Sequence, residues 1–347
     1  MKIALDATYS LGPNPSGVGV YSKEILYGLT RAHPQTRFLF CYRPHRFLPS
    51  FATRIPSNAS RRLLWKSVPA SADLFHALNQ RVESRHARTV VTFHDLFVMS
   101  GEYSTPEFRE RFSAQARAAA ERSDRIIAVS RFTAQQVQQY LHVDPARIRV
   151  VPHGVRPVPH PATTAAKEPL ILFVGAIQRR KNIVRLVRAF EDTDPGWKLV
   201  LAGSYGYGSL EALARIETST RKEDIQVLGY VSDAELERLY QRASVFAFPS
   251  LDEGFGMPLL DAMARGVPVL TSNSSAMPEV VGDAALLVDP LNVESITEDL
   301  RRITGDAALR DELIRSGFAR SALFTWEKAV EQTWSVYGEL LGKELLG

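Results

Sequence analysis

The chain has 347 residues, 45% of them hydrophobic and 23% charged, a composition that supports two globular cores. No apolar run reaches the ~18 residues of a membrane-spanning helix, and a single cysteine, Cys41, excludes an intrachain disulfide or a multi-cysteine metal site. The net charge of +4 is modest, and with no reader motif or aromatic platform beside the basic residues it makes no case for nucleic acid.

The opening Met-Lys-Ile-Ala-Leu-Asp reads as a first core strand over residues 2–6 with no apolar leader ahead of it, so a cytosolic protein is expected. Gly17 and Gly19 follow that strand and precede a helix expected over 21–30. Their bare amides either approach a phosphate or form a plain turn, since the full dinucleotide fingerprint is absent. Further strands are expected over 38–42, 74–76, 89–93, 125–129 and 148–151, with helices between them. Cys41 sits in the apolar run 38–42, where core packing is its expected role. Between residues 31 and 90, eleven Arg and Lys side chains face only Asp73 and Glu83, a local balance of +9. Such a stretch suits an anionic bilayer surface or a phosphate-bearing acceptor, or is simply a solvated face.

Pro152, Pro157, Pro159, Pro161 and Pro169, with Thr163 and Thr164, then mark a linker. Domains are expected over 1–160 and 161–324, with 325–347 a terminal helix. Short apolar runs at 170–174, 198–202, 225–228, 245–248, 267–271 and 285–288 alternate again with amphipathic stretches. Both halves therefore read as α/β units with parallel sheets, two Rossmann-like domains. Trp326, Val330, Trp334, Tyr337 and Leu341 fall at helical spacing and form a stripe that needs burial.

The residues that carry chemistry cluster at strand ends in the second half. Gly175 ends a strand, and Arg180 and Lys181 lie just beyond it, where cations suit a diphosphate. An unliganded R-R-K cluster on a helix start is the plainer reading, although cations there oppose the helix dipole. The run F-P-S-L-D-E-G-F-G-M-P-L-L-D-A-M-A at 248–264 sets Glu253 and Asp261 around the turn Gly254-Phe255-Gly256, with a helix expected from about Gly256. Glycine amides and a helix N-terminus suit a phosphate, Glu253 can accept from sugar hydroxyls, and Asp261 could reach a ribose diol.

This last stretch resembles the E-x7-E signature of the retaining nucleotide-sugar glycosyltransferases of family 4, with Asp261 in place of the second Glu. S-G-V-G-V-Y at 16–21, V-V-T-F-H-D-L at 90–96, D-R-I-I-A-V-S-R-F at 124–132, V-G-A-I-Q-R-R-K-N at 174–182 and G-V-P-V-L-T-S-N-S-S-A-M-P-E-V-V-G-D-A-A-L-L-V-D-P at 266–290 are similar to family segments in the same order. The resemblance implies the GT-B fold, two Rossmann-like domains facing a central cleft, with a terminal helix that crosses back to the first. The N-terminal domain would then bind the acceptor and the C-terminal domain the donor. It implies retaining transfer of a hexose, first guess mannose, from a nucleoside-diphosphate sugar to a glycan or lipid-linked acceptor in bacterial surface polysaccharide synthesis. No metal is expected, and no D-x-D motif is present.

By the same resemblance, His94 lies beside the transferred sugar, with Asp95 a weaker candidate, and Lys181 takes the family's lysine position. Many members carry Arg directly after the glycine where this chain has Ala176, so Arg180 or Arg179 would take over that contact. The base is expected near Gly229, Tyr230 and Val231, and the pocket around Met257 and His94 would choose the sugar. His153 stands where relatives usually have Asn. Location at the inner face of the cytoplasmic membrane is compatible with the basic first half. The alternatives are a non-catalytic nucleotide-sugar or glycan binder, or a nucleotide-sugar epimerase or phosphorylase on the same fold. For the phosphorylase, no pyridoxal-phosphate lysine context is visible.

Overall fold

The apolar runs become buried parallel strands because each is short, rich in β-branched or aromatic residues, and followed by a helix that covers it. The computed structural model of the protein describes residues 1–12, 16–65, 67–155, 158 and 167–342. The expected linker from Pro157 to Thr164 and the boundary at 160 lie largely outside these residues. The chain divides into two compact units, one of Met1–Gly154 with the C-terminal segment from Phe324, the other of Val155–Leu323.

The first unit holds a seven-stranded sheet of β1 (Lys2–Asp6), β2 (Arg37–Tyr42), β3 (Ala59–Leu63), β4 (Leu74–Ala77), β5 (Thr89–Phe93), β6 (Arg125–Ala128) and β7 (Ile148–Val150). Their order is β3-β2-β1-β4-β5-β6-β7, and every pairing is parallel. β3 has no counterpart among the expected strands, because Ala-Ser-Arg-Arg-Leu at a half-exposed edge carries almost no apolar signal. One core cluster runs from Leu39 and Phe75 through Val91 and Phe93 to Ile126 and Val137. Cys41 is buried with its Sγ–H directed at the Leu39 carbonyl, and burial pushes its thiol far up.

The first helix starts at Gly17 and runs to Ala32, four residues ahead of the expected start, because Ser16 caps it by accepting from the Gly19 N–H at 3.4 Å. The terminal helix, Trp326–Leu341, packs on this helix, and Trp326, Val330, Tyr337 and Leu341 of its stripe are buried. Trp334 instead stacks on His33 with ring centroids 3.5 Å apart. Two glycines make the docking fit. A Cβ on Gly28 would lie 2.4 Å from Val330 Cγ2, and one on Gly154 would lie 2.2 Å from the Trp326 backbone nitrogen. Gly154→Ala is therefore expected to destabilise the first unit by about 2 kcal/mol, since backbone cannot yield as a side chain can. A denaturant midpoint equal to wild type would show that the helix can shift without cost.

The basic stretch does not form one face. Arg43 is buried and bridges Asp6 at 3.1 Å and Glu83 at 2.5 Å, and Arg81 joins the same Glu83 at 2.7 Å. The expected eleven-to-two imbalance is thus partly internal ion pairing, and Lys66 lies outside the described residues.

The second unit holds a six-stranded parallel sheet of β8 (Glu168–Val174), β9 (Lys198–Ala202), β10 (Ile225–Gly229), β11 (Ala243–Phe248), β12 (Val269–Ser272) and β13 (Ala285–Val288), ordered β10-β9-β8-β11-β12-β13. β8 and β11 are central neighbours, so the loops after Val174 and Phe248 emerge side by side. That adjacency places the phosphate-suited segment against the acidic turn.

Candidate active site

Three glycines end three neighbouring strands of the second unit. Gly175 (φ +152°) donates its N–H to the Ala202 carbonyl, and Gly203 (φ +156°) donates to the Gly229 carbonyl. A Cβ on Gly203 would fall 2.0 Å from the Gly175 oxygen, so only glycine allows this approach. Beyond Gly175 the chain makes a short 3-10 turn, Arg179–Lys181, closed by Asn182 in the left-handed region at φ +60°. Asn182 Nδ2 donates to the Pro249 and Pro290 carbonyls, and Leu251 N–H donates to the Arg180 carbonyl. These bonds fasten the basic turn to the loop that carries Glu253.

The result is a buried ionic group. Glu253 Oε1 accepts from Arg180 Nη1 at 2.8 Å and from Lys181 Nζ, and all three side chains are about nine-tenths buried. Arg180 Nη1 also donates to the Asp252 carbonyl at 2.8 Å, and Lys181 Nζ lies 4.5 Å from the centre of the Phe248 ring. Burial alone would raise the Glu253 carboxyl, but the charges and hydrogen bonds of Arg180 and Lys181 outweigh it and hold it below the usual range. The loop is fixed from the far side by Ser275 Oγ, which accepts the Glu253 N–H, and by Ser272 Oγ, which donates to the Ser250 carbonyl. Gly256 (φ +91°) then turns the chain into the helix Met257–Ala264, and Gly254, Phe255 and Gly256 are buried with Met257 half-buried.

Two cations therefore share one carboxylate oxygen in the loop that leads into the helix Met257–Ala264. An entering diphosphate can take those cations, and the Glu253 oxygen they release is an acceptor for hydroxyls.

Other expected residues lie elsewhere in the unit. Arg179 turns to Glu211 and lies over the Tyr207 ring, so it is not brought into the Glu253 group. Asp261 sits about one turn into its helix, 37% exposed, with its carboxylate 3.5 Å from Arg265, which is itself held by Glu237. Tyr230 is exposed and Val231 half-exposed after Gly229, whose φ of +67° needs no side chain.

In the first unit, Gly17 is exposed at the helix start and Gly19 is buried. His94 follows β5 and is buried, with Nε2 2.9 Å from the Leu78 carbonyl. A carbonyl only accepts, so Nε2 carries the proton and Nδ1 accepts from His153 Nε2 at 3.4 Å. The two imidazoles stack at 5.3 Å, and Tyr21 meets both. Burial lowers His94 to about 4 and His153 well below its usual range, so both are neutral. A sugar hydroxyl that reached His94 would have to replace one of these bonds. Among the described residues no group of three or more His, Cys, Asp or Glu side chains could hold a metal, and no helix is long and apolar enough to cross a membrane.

Residues 16–158 match the family described as Glycosyltransferase Family 4, and residues 159–320 match Glycosyl transferases group 1. The O-antigen chain mannosyltransferase B of Escherichia coli is 30% identical over 80% of this chain and 77% of its own length. The chain belongs to glycosyltransferase family 4. A second relative, the serotype-specific mannosyltransferase WbdA of Escherichia coli, is 30% identical over 69% of this chain and 32% of that longer protein. Among solved structures, sucrose-phosphate synthase from Thermosynechococcus elongatus superposes with a TM-score of 0.80 at 22% identity, covering 98% of this chain and 99% of the other. HepE from Anabaena, determined with UDP and glucose, gives 0.75 at 15% identity over 98% and 100%. The glycosyltransferase thus has the GT-B fold.

Within this glycosyltransferase, sequence reading passed over Asn182, Gly203 and Ser275. Asn182 was visible as the last residue of V-G-A-I-Q-R-R-K-N, but its partners lie 67 and 108 residues away. Gly203 follows an apolar strand as Gly175 does, and that repeated strand-then-glycine signal could have found it.

Proposed function

We propose that this enzyme moves a hexose, mannose, from a nucleoside-diphosphate sugar to a glycan or lipid-linked acceptor with retention of configuration and without a metal, in surface polysaccharide synthesis. The observation that carries the proposal is the sharing of one Glu253 oxygen by Arg180 and Lys181 at the end of β8. On donor binding the two cations pass to the diphosphate and stabilise the charge that grows on its bridging oxygen as the sugar departs. The freed Glu253 carboxylate holds sugar hydroxyls, Asp261 serves the ribose, and Tyr230 and Val231 lie toward the base. Glycine amides at 175, 254 and 256 approach the phosphates. The first unit serves the acceptor and, through His94, the sugar, with Gly17 and Gly19 on the diphosphate or acceptor side. The mannosyltransferase names of the relatives support the choice of sugar. The place of work we assign is the cytoplasmic face of a membrane, where a lipid-linked acceptor would lie.

The test is a thermal-shift series with GDP, UDP and ADP in metal-free buffer, on wild type and Lys181→Ala. One nucleotide is expected to raise the melting temperature of wild type, and the shift is expected to vanish in the variant. No shift with any nucleotide, or an undiminished one in Lys181→Ala, would take the diphosphate away from this group.

A further inference from the structure

Between Arg43 and Ala72 the sequence has five arginines, one lysine and no carboxylate. The same stretch exposes four large apolar side chains, Leu48 at 76%, Phe51 at 60%, Leu63 at 42% and Trp65 at 61%. They belong to one surface. The Phe51 N–H donates to the Leu48 carbonyl, so the two share a turn, and the Arg61 guanidinium lies 4.9 Å from the centre of the Phe51 ring. Arg61 and Leu63 alternate onto the same side of the edge strand β3. Trp65 follows two residues on, past the buried Leu64, whose N–H still donates to the Tyr42 carbonyl. Arg61 also donates through Nε to the Ser50 carbonyl at 3.2 Å, which holds the turn against the strand.

Large apolar tips left in water cost free energy unless something covers them, and contiguous ones mark an interface. Arg54 is exposed and Arg46 half-exposed in the segment that carries Leu48 and Phe51, while Arg62 alternates to the other side of β3. Apolar tips that include a Trp, in a segment with arginines and no acid, match the chemistry of a headgroup layer, where indole rests at the interface and guanidinium meets lipid phosphate. We propose that this face of the first unit seats on an anionic bilayer, with Leu48, Phe51 and Trp65 entering the headgroup region. The inference rests on the membrane-face location assigned above and gives it a surface.

The experiment is vesicle flotation of the full chain at low and physiological salt, with vesicles of phosphatidylglycerol and phosphatidylethanolamine or of phosphatidylcholine alone. The variants are Leu48→Ser/Phe51→Ser/Trp65→Ser and Arg46→Ser/Arg54→Ser, all at exposed or half-exposed positions, with Trp65→Phe to assign the emission change. Wild type is expected to float with the anionic vesicles only and to shift its tryptophan emission to the blue, a shift that Trp65→Phe lacks. The triple variant should bind ~10-fold more weakly or worse, and the arginine pair should lose the salt dependence. An unchanged melting temperature and far-ultraviolet circular dichroism in each variant show that the fold persists. Wild type that does not float, a triple variant that floats as well, or equal flotation on phosphatidylcholine would overturn the proposal. So would self-association of wild type, relieved in the triple variant, without vesicle binding. Flotation without sugar transfer to a lipid-linked acceptor would leave the surface standing and remove the assigned function. Transfer without flotation would do the reverse.

Discussion

Glu253→Gln is expected to lower sugar transfer by ~100-fold or more and to destabilise the second unit by about 3 kcal/mol in the absence of nucleotide. The two effects have one origin. In the ligand-free protein the Glu253 carboxylate is the shared counterion of Arg180 and Lys181, all of them withdrawn from water. Glutamine keeps the shape but removes the charge that both cations share, and taking one partner out of a buried ion pair costs far more than replacing the whole pair. A nucleoside diphosphate supplies the missing negative charge. It should therefore restore more stability to the variant than it adds to wild type, where it must first displace Glu253. Turnover stays low even then, because the sugar hydroxyls have lost their acceptor. Steady-state kinetics together with denaturant titration, each with and without the nucleotide that shifts wild type, separates these claims. Unchanged turnover would remove Glu253 from the reaction. A variant as stable as wild type would show that the three side chains do not share charge as the structure has them. Nucleotide binding by wild type with no transfer to any acceptor would favour a binding protein.

The parallel strands were legible because burial on both faces leaves a short apolar run as their mark, and Val245 to Phe248 or Thr89 to Phe93 can hardly be read otherwise. The helix Gly17–Ala32 was placed too late because its start is set by one cap bond from Ser16, a local event with no apolar periodicity. The same division holds in the site. Charge type at a strand end made Arg180, Lys181 and Glu253 candidates, and the resemblance of the segments around them to family 4 set them above a plain basic cluster and an acidic loop. Which groups meet was not legible, because β8 and β11 are neighbours only through the order of the sheet. Arg179 and Arg180 are adjacent in sequence, yet one joins Glu253 and the other Glu211. The helical turn between them decides this, and no propensity records it.

The first unit is expected to lose stability in mild acid well before its carboxylates titrate, because three neutral histidines are buried in it. His76 Nδ1 lies 2.6 Å from the Tyr337 hydroxyl and Nε2 2.8 Å from Thr92 Oγ1, which is in turn 2.9 Å from the Tyr21 hydroxyl. His94 and His153 stack on each other and both pack against Tyr21, with Trp326 beside them. Burial lowers His76 to about 3 and His94 to about 4 from an ordinary 6.5, and lowers His153 in the same direction. A histidine whose native pKa is depressed binds its proton more readily when unfolded. Its contribution is thus full above about pH 6.5 and is lost as pH falls from there toward its native value. Each fully coupled histidine gives a slope of ~1.4 kcal/mol per pH unit in that window, so three of them could unfold a marginal domain near pH 5. Tyr337 belongs to the terminal helix, so protonation of His76 should also loosen that helix, which carries Trp326 and Trp334. Denaturant unfolding followed by tryptophan emission across this pH range is the measurement. A stability that stays flat between about pH 6.5 and pH 5 would mean that the histidines are protonated in the native protein or reachable by water, and the buried Tyr337, His76, Thr92 and Tyr21 chain would then need a charged state.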